Sequence, residues 1–320
     1  MYFCTLISQN SKMINRVLIR IRVVQILYSI ELSHNRDLKI AESSLNFSLQ
    51  KSYDLYYYLL LLMIEITDMY SKKIEQGKNK LLPTQEELHP NTRLLDNKFI
   101  NQLKSNTQFN NYLKERPLNW SENSTFVRKL LDTILSSSLY KEYTSDSDTS
   151  YEADRTFWKK TFKKFITENE ELEDLLEDES LFWNDDIEIV ESFVLKTIKR
   201  FDEKNGTEQE LLPMYKDEED KLFAKKLLHE TMLNSTEYEQ MIAQYAKNWE
   251  SERIALMDQI VMQIAISEIL NFPNIPVSVT LNEYINIAKV YSTQKSASFI
   301  NGILDTIVAD LKKNNRIIKQ

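Results

Sequence analysis

The stretch IPVSVTLNEYINIAKVYSTQKSASFINGILD, residues 275–305, decides how the chain folds. It enters on Ile275-Pro276, passes a short β-branched run, and then Asn282-Glu283 opens a helical pattern. A second helical pattern follows, with Ser-Phe-Ile-Asn-Gly at 298–302 in its first turns. Glycine is costly inside a helix, and its usual benefit is the close approach of a backbone or a ligand. The chain has three glycines in 320 residues, so Gly302 in an apolar helix calls for a reason. The simplest is tight packing of the last helix against a neighbouring backbone. Phe299, one turn earlier, is the stronger candidate for function.

The same scarcity of glycine runs through the whole composition. Three Gly and six Pro are too few for a turn-rich sheet fold, so long helices with few connections are expected. With 42% hydrophobic and 28% charged residues, the chain can bury a sizeable core. A formal net charge of -8 argues against a generic, charge-driven nucleic-acid binder, although a local basic patch remains compatible with it. The single cysteine, Cys4, excludes an internal disulfide framework and a cysteine-rich zinc site. The most apolar run, Tyr56 to Ile64, ends at Glu65 and falls far short of the roughly 20 residues that span a bilayer. The first residues, MYFCTLISQNSK, do not read as a signal peptide, and Met13 is a candidate start because the periodic pattern begins after it.

Helical periodicity organises the rest. Residues 14–32 place Ile14, Val17, Leu18, Ile21, Val24, Leu27 and Ile30 at helical spacing, with Arg16, Arg20 and Arg22 among them. Further helices are expected over 43–76, 96–115, 121–142, 154–182 and 183–203. Others are expected over 217–232, 235–249, 252–270, 280–291 and 295–312. Residues 78–95 read as a loop, and 143–153 and 203–213 as linkers. A weak echo relates Phe157-Trp158-Lys159-Lys160 to Phe223-Ala224-Lys225-Lys226, and Trp183 to Trp249, both at a spacing of 66. Convergence of two amphipathic helix pairs explains it more simply than a duplication.

Nothing in the chain reads as an enzyme. There is no Gly-rich phosphate loop, no GxSxG, no HExxH and no nucleophile context for Cys4. The acidic run 168–179 alternates carboxylates with leucines, as a solvated helix face does. No cofactor or metal is implied. Three elements combine cations with aromatics: the face Arg16/Arg20/Arg22, then Phe223 with Lys225 and Lys226, and then Tyr291, Lys295 and Phe299. Single-stranded RNA is held by such combinations, through base stacking and phosphate contacts. Taken singly, each element is explained as readily by a solvated or salt-bridged face or a core aromatic.

Together the two ends of the chain carry a resemblance. Residues 24–33, VQILYSIELS, preceded by Arg16 and Arg20, resemble the opening helix of the NusB family of bacterial transcription antitermination factors. Residues 249–270, WESERIALMDQIVMQIAISEIL, resemble its central helix, including Asp258 and Glu268. The stretch 275–305 resembles its last two helices. There the matching signature is Asn282, Glu283, Ala288 and Lys289, then Ser296, Phe299, Asn301, Gly302, Leu304 and Asp305. Residues 222–238 fit the third helix more loosely, with Phe223 where the family often has an aromatic.

The resemblance implies an all-α fold of two packed helical bundles. A non-enzymatic, cytoplasmic RNA-binding factor is implied, acting on boxA-type ribosomal RNA leader sequence with a NusE-type small-subunit ribosomal protein. It also implies work within the RNA polymerase antitermination complex on rRNA transcription, no membrane association, and a monomer or homodimer. The RNA surface the resemblance implies comprises Arg16, Arg20, Phe223, Tyr291 and Phe299, to which the cation and aromatic clusters add Arg22, Lys225 and Lys295 as candidates. The expected organisation is a non-native or disordered start at 1–13, the first helix at 14–33, and an acidic helical insertion at 34–216. The family core at 217–312 and a basic tail at 313–320 complete it.

The departures bear on function. The insertion is unmatched by the family pattern and resembles the lengthened form of Bacteroidetes-type members. Lys295 stands where the family often has an acid, which raises local positive charge. The family's arginine run is thinned here to alternating arginines and apolar residues. A helical protein-interaction scaffold of the transcription machinery with weakened RNA binding is therefore the alternative. A docking domain of an RNA methyltransferase is disfavoured by the lack of a cofactor loop and a catalytic cysteine.

Overall fold

Side-chain caps set most of the helix boundaries. Asn15 opens α1 (Arg16–Ser33) by accepting from the Leu18 N–H at 2.8 Å, the usual work of an N-cap residue. The chain then runs through α2 (Leu38–Lys78), the single turn α3 (Gln85–Leu88), α4 (Lys98–Lys104), α5 (Thr107–Glu115), α6 (Ser124–Ser136) and α7 (Ser138–Ser145). Next come α8 (Tyr151–Thr161) with a π-helical turn at Phe162–Ile166, α9 (Glu170–Glu179) and α10 (Ile187–Arg200). A 3-10 segment at Glu203–Glu208 precedes α11 (Glu218–Leu233), α12 (Ser235–Tyr245), α13 (Leu256–Asn271), α14 (Val277–Tyr291) and α15 (Gln294–Lys313). The computed structural model describes residues 14–215, 217–246 and 254–317, and no strand occurs among them. The all-α expectation holds. Cys4, the candidate start Met13, Trp249, and residues 247–249 and 252–253 of two expected helices lie outside the described residues, as do the last three residues of the tail.

Several expected helices are shorter than their periodicity suggests, and the reason is local. The helix expected over 96–115 divides because Asn106 turns its side chain onto the Phe109 N–H at 2.8 Å and starts α5 afresh. The one expected over 121–142 divides at Ser137, which caps α7 through the Tyr140 N–H, and α7 then runs to Ser145 into the expected linker. The one expected over 154–182 passes through the π-helical turn and then breaks at Glu168, whose φ of 58° is left-handed, before Asn169 caps α9. In the opposite direction, α14 begins at Val277 rather than 280. The β-branched run 277–280 is helical because Val277 and Thr280 are buried there.

The described chain forms two compact units, one of residues 50–214 and one of residues 14–49 with 215–317. They are called here the central and the terminal unit. The helix α2 contributes residues 38–49 to the terminal unit and 50–78 to the central one. In the central unit, the apolar run Tyr56–Ile64 is buried on every side of α2 and forms the heart of the core. Tyr58 stacks on Trp120 at 4.1 Å, and the Trp120 indole N–H donates to the Tyr58 carbonyl at 3.1 Å. In the terminal unit, α13 packs against α1, α11, α12, α14 and α15. A helix surrounded this way has to be largely apolar all round, and Ile260 through Ile266 are all buried, with Gln263 the one polar side chain among them.

Candidate nucleic-acid interface

One carboxylate organises the terminal unit. Glu268 sits in the apolar run of α13 and is fully buried, so its charge requires compensation from elsewhere in the fold. Arg20 of α1 supplies it in a bidentate pair, with Nε and Nη2 each 2.8 Å from a Glu268 oxygen. Thr280 donates to the same carboxylate at 2.8 Å and Tyr284 at 3.1 Å, both from α14. Glu283 lies 3.7 Å from Arg20 Nη1. Burial works against the Arg20 charge, but the Glu268 hydrogen bonds and charge outweigh it, holding the guanidinium above its ordinary range. Burial, with Glu268 beside it, likewise pushes the Tyr284 phenol well up. Burial also raises the Glu283 carboxyl despite the opposing pull of Arg20.

Above this pair lies an aromatic and cationic layer. Phe223 of α11 is buried, edge-on to Phe272 at 5.0 Å, with the guanidinium carbons of Arg16 and Arg20 at 4.9 and 5.5 Å from its ring centre. These are cation–π distances. Arg16 is half-buried and binds Asp220 at 3.1 Å and Glu219 at 3.0 Å. Lys225, exposed on α11, reaches Glu42 at 2.7 Å. Glu42 also meets His229, and these partners, Lys225 foremost, hold its carboxyl below the usual range. Lys226 donates to the Asn271 carbonyl at 2.8 Å and lies over the Phe272 ring at 5.0 Å.

The structure therefore brings Arg16, Arg20 and Phe223 together, and it turns Arg20 and Phe223 inward. Arg22 is also buried, donating to Gln25 at 2.7 Å. None of these three presents a surface to a ligand as placed. Tyr291, Lys295 and Phe299 stand at the turn between α14 and α15, the two aromatics half-buried and Lys295 exposed. That turn is fixed from below by Asp258 of α13, which accepts from the Ser292 hydroxyl, whose oxygen lies 3.0 Å from the Ser296 hydroxyl. Thr293 caps α15 through the Ser296 N–H at 3.2 Å.

The signature residues divide in the same way. Glu283 joins the Arg20 cluster, whereas Asn282 is exposed, and Asn301 donates to Asp305 at 2.9 Å one turn on. The close packing expected at Gly302 is absent. Gly302 is exposed, and a Cβ added there would meet nothing within 4 Å. Thr280 and Tyr284 were not among the residues the sequence singled out. The signal for them was Glu268 itself, since an acid buried deep in a largely apolar helix needs buried donors. No group of three metal-ligating side chains occurs among the described residues. None of the helices described is long and apolar enough to cross a membrane.

Comparison with known proteins bears on this arrangement. The NusB family model matches residues 187–309, which include α11, α13, α14 and nearly all of α15. A protein of Salinibacter ruber is 35% identical over 132 residues, covering 39% of this chain and 82% of the relative. One of Thermodesulfovibrio yellowstonii is 38% identical over 119 residues, covering 37% and 74%. One of Chloroherpeton thalassium is 40% identical over 97 residues, covering 30% and 46%. Each of the three is a transcription antitermination protein NusB. No solved structure matches the chain. With a relative 35% identical and matched over four-fifths of its length, and Glu268, Thr280, Glu283 and Tyr284 lying within the segment the family model matches, the chain belongs to the NusB family.

Proposed function

We propose that the protein is a non-enzymatic transcription antitermination factor that binds boxA-type ribosomal RNA leader sequence together with a NusE-type small-subunit ribosomal protein. The observation that carries this reading is family membership, with the matched residues 187–309 lying mostly in the terminal unit. The geometry adjusts which residues do what. Arg20, Glu268 and Phe223 act as the frame that holds α1, α11, α13 and α14 in place. Arg16, Lys225, Tyr291, Lys295 and Phe299 are the residues left to meet RNA, with Arg16 and Lys225 exchanging carboxylate partners for phosphates. Gly302 gives the exposed face of α15 a bare strip of backbone that a partner can approach closely. Filter binding with boxA-like and scrambled RNA, each with and without the NusE-type protein, tests the proposal. Preference for the boxA-like sequence supports it, and equal binding under both conditions overturns it.

The burial of Arg20 and Arg22 favours a second reading, since it removes two of the cations expected on the RNA face. In that reading the chain is an interaction scaffold of the transcription machinery with weakened RNA binding. Arg16→Glu then leaves recovery of polymerase components unchanged in a pull-down, whereas RNA-dependent recovery lost in the variant restores the first reading.

A further inference from the structure

The central unit carries a cationic face that the terminal-unit reading does not use. The end of α8 and the π-helical turn read FWKKTFKKFI over 157–166. Two by two the residues alternate: Phe157, Trp158, Thr161, Phe162 and Ile166 are buried, while Lys159, Lys160, Lys163 and Lys164 are exposed. Spacings of one and four place all four lysines on one side of the helix. Among the described residues none of the four makes an ion pair, whereas Lys73, Lys80, Lys104 and Lys129 of the same unit do. Like charges four apart repel, so the cluster works against its own helix unless an anion covers it.

Its surroundings suit a nucleic-acid strand. Lys160, Lys163 and Lys164 share a groove with Ser138 and Leu139, the first residues of α7, and with a single acid, Glu142. The helix start adds the positive end of its dipole. Lys164 also borders a second groove with the half-buried Phe165, whose ring centre lies 5.3 Å from its Nζ, and with Lys129 and Thr133. Glu168, Glu170 and Glu171 line the same groove, and Glu171 pairs with Lys129. Lys129 and Thr133 in turn border a third groove containing Arg128.

We propose that this face of the central unit is a contact surface for single-stranded RNA, with Lys160, Lys163 and Lys164 on phosphates and Phe165 as a stacking face. The pairing of a lysine cluster with a ring beside it is what selects a splayed single strand over a purely acidic polypeptide, which needs no stacking platform. The inference goes beyond the leader-RNA reading, because it concerns a different unit and no particular sequence.

The test is fluorescence anisotropy of the full chain with labelled single-stranded oligouridine across a salt series. For single strands each phosphate contact contributes about 0.7 to the slope of log affinity on log salt. The variant Lys160→Gln/Lys163→Gln/Lys164→Gln is expected to lower that slope by about 2. Phe165→Leu, which keeps an apolar side chain, is expected to weaken binding several-fold with the slope unchanged. Circular dichroism is used to confirm that both variants are folded. An unchanged slope in the triple variant overturns the proposal, as does equal competition by polyglutamate or by duplex RNA at matched charge. Discrimination between boxA-like and scrambled RNA is expected to survive in the triple variant. Its absence from the wild-type protein counts against the terminal-unit reading and leaves the slope result standing.

Discussion

Arg20 and Glu268 form a buried pair whose worth lies in completeness. Both guanidinium–carboxylate bonds are made, and Thr280 and Tyr284 supply the carboxylate with two more donors. Removing one partner leaves an uncompensated charge, which costs about 3–5 kcal/mol. Arg20→Ala is therefore expected to destabilise the terminal unit by that amount in urea denaturation. Arg20→Lys, a single point charge in place of a fork, is expected to recover only part of it. Glu191 of α10 is the opposite case. It is buried, and its Oε1 has no hydrogen-bond partner. Burial, aided by Glu173, Glu188 and Glu168, raises its carboxyl from the ordinary 4.5 to about 8. Between those values the unfolded chain has released the proton and the folded chain keeps it, so stability falls as pH rises through that window and levels off above it. Glu191→Gln is expected to be more stable than the wild type by a few kcal/mol at about pH 8, and by much less at about pH 5. Denaturation at the two pH values checks this.

At the scale of the element, α15 shows how a rule of thumb is decided by surroundings. A glycine in an apolar helix suggests close packing, yet the space around Gly302 is open. In the isolated protein Gly302→Ala is thus expected to stabilise by about 0.5–1 kcal/mol, the ordinary helix preference of alanine over glycine. If a partner approaches that bare strip, as proposed, the same substitution weakens the association. Thermal denaturation and partner titration of the one variant read the two effects separately. The helix breaks at Asn106, Ser137 and Glu168 make a related point. Apolar spacing continues across each of them, but a capping side chain or a left-handed residue ends the helix regardless. Caps were legible in the residue types, though periodicity alone passed over them.

For the molecule as a whole, the two units each close around their own core, one on the Tyr56–Ile64 run and one on α13. Trp120, Trp158 and Trp183, three of the chain's four tryptophans, lie in the central unit. Arg20→Ala is expected to shift part of the far-UV circular dichroism transition to lower urea while the tryptophan fluorescence midpoint moves little. Coincident shifts in both probes would count against independent unfolding. The net charge of -8 is spread over the molecule, so the local basic faces, not the total charge, set any affinity for RNA.

Much of this was readable from the chain alone. Helical class, the signature in residues 275–305 and the candidate cations follow from residue type and spacing, because helix formation and capping are decided among near neighbours. Which cations stay outside could not be read that way. Arg20 and Arg16 share a helix stripe, yet Arg20 turns inward because Glu268, 248 residues away, waits there as a buried acid. Phe223 became part of the frame, and Gly302 was left open, for the same reason. Burial is a property of what lies opposite, and only the tertiary structure brings distant residues opposite one another.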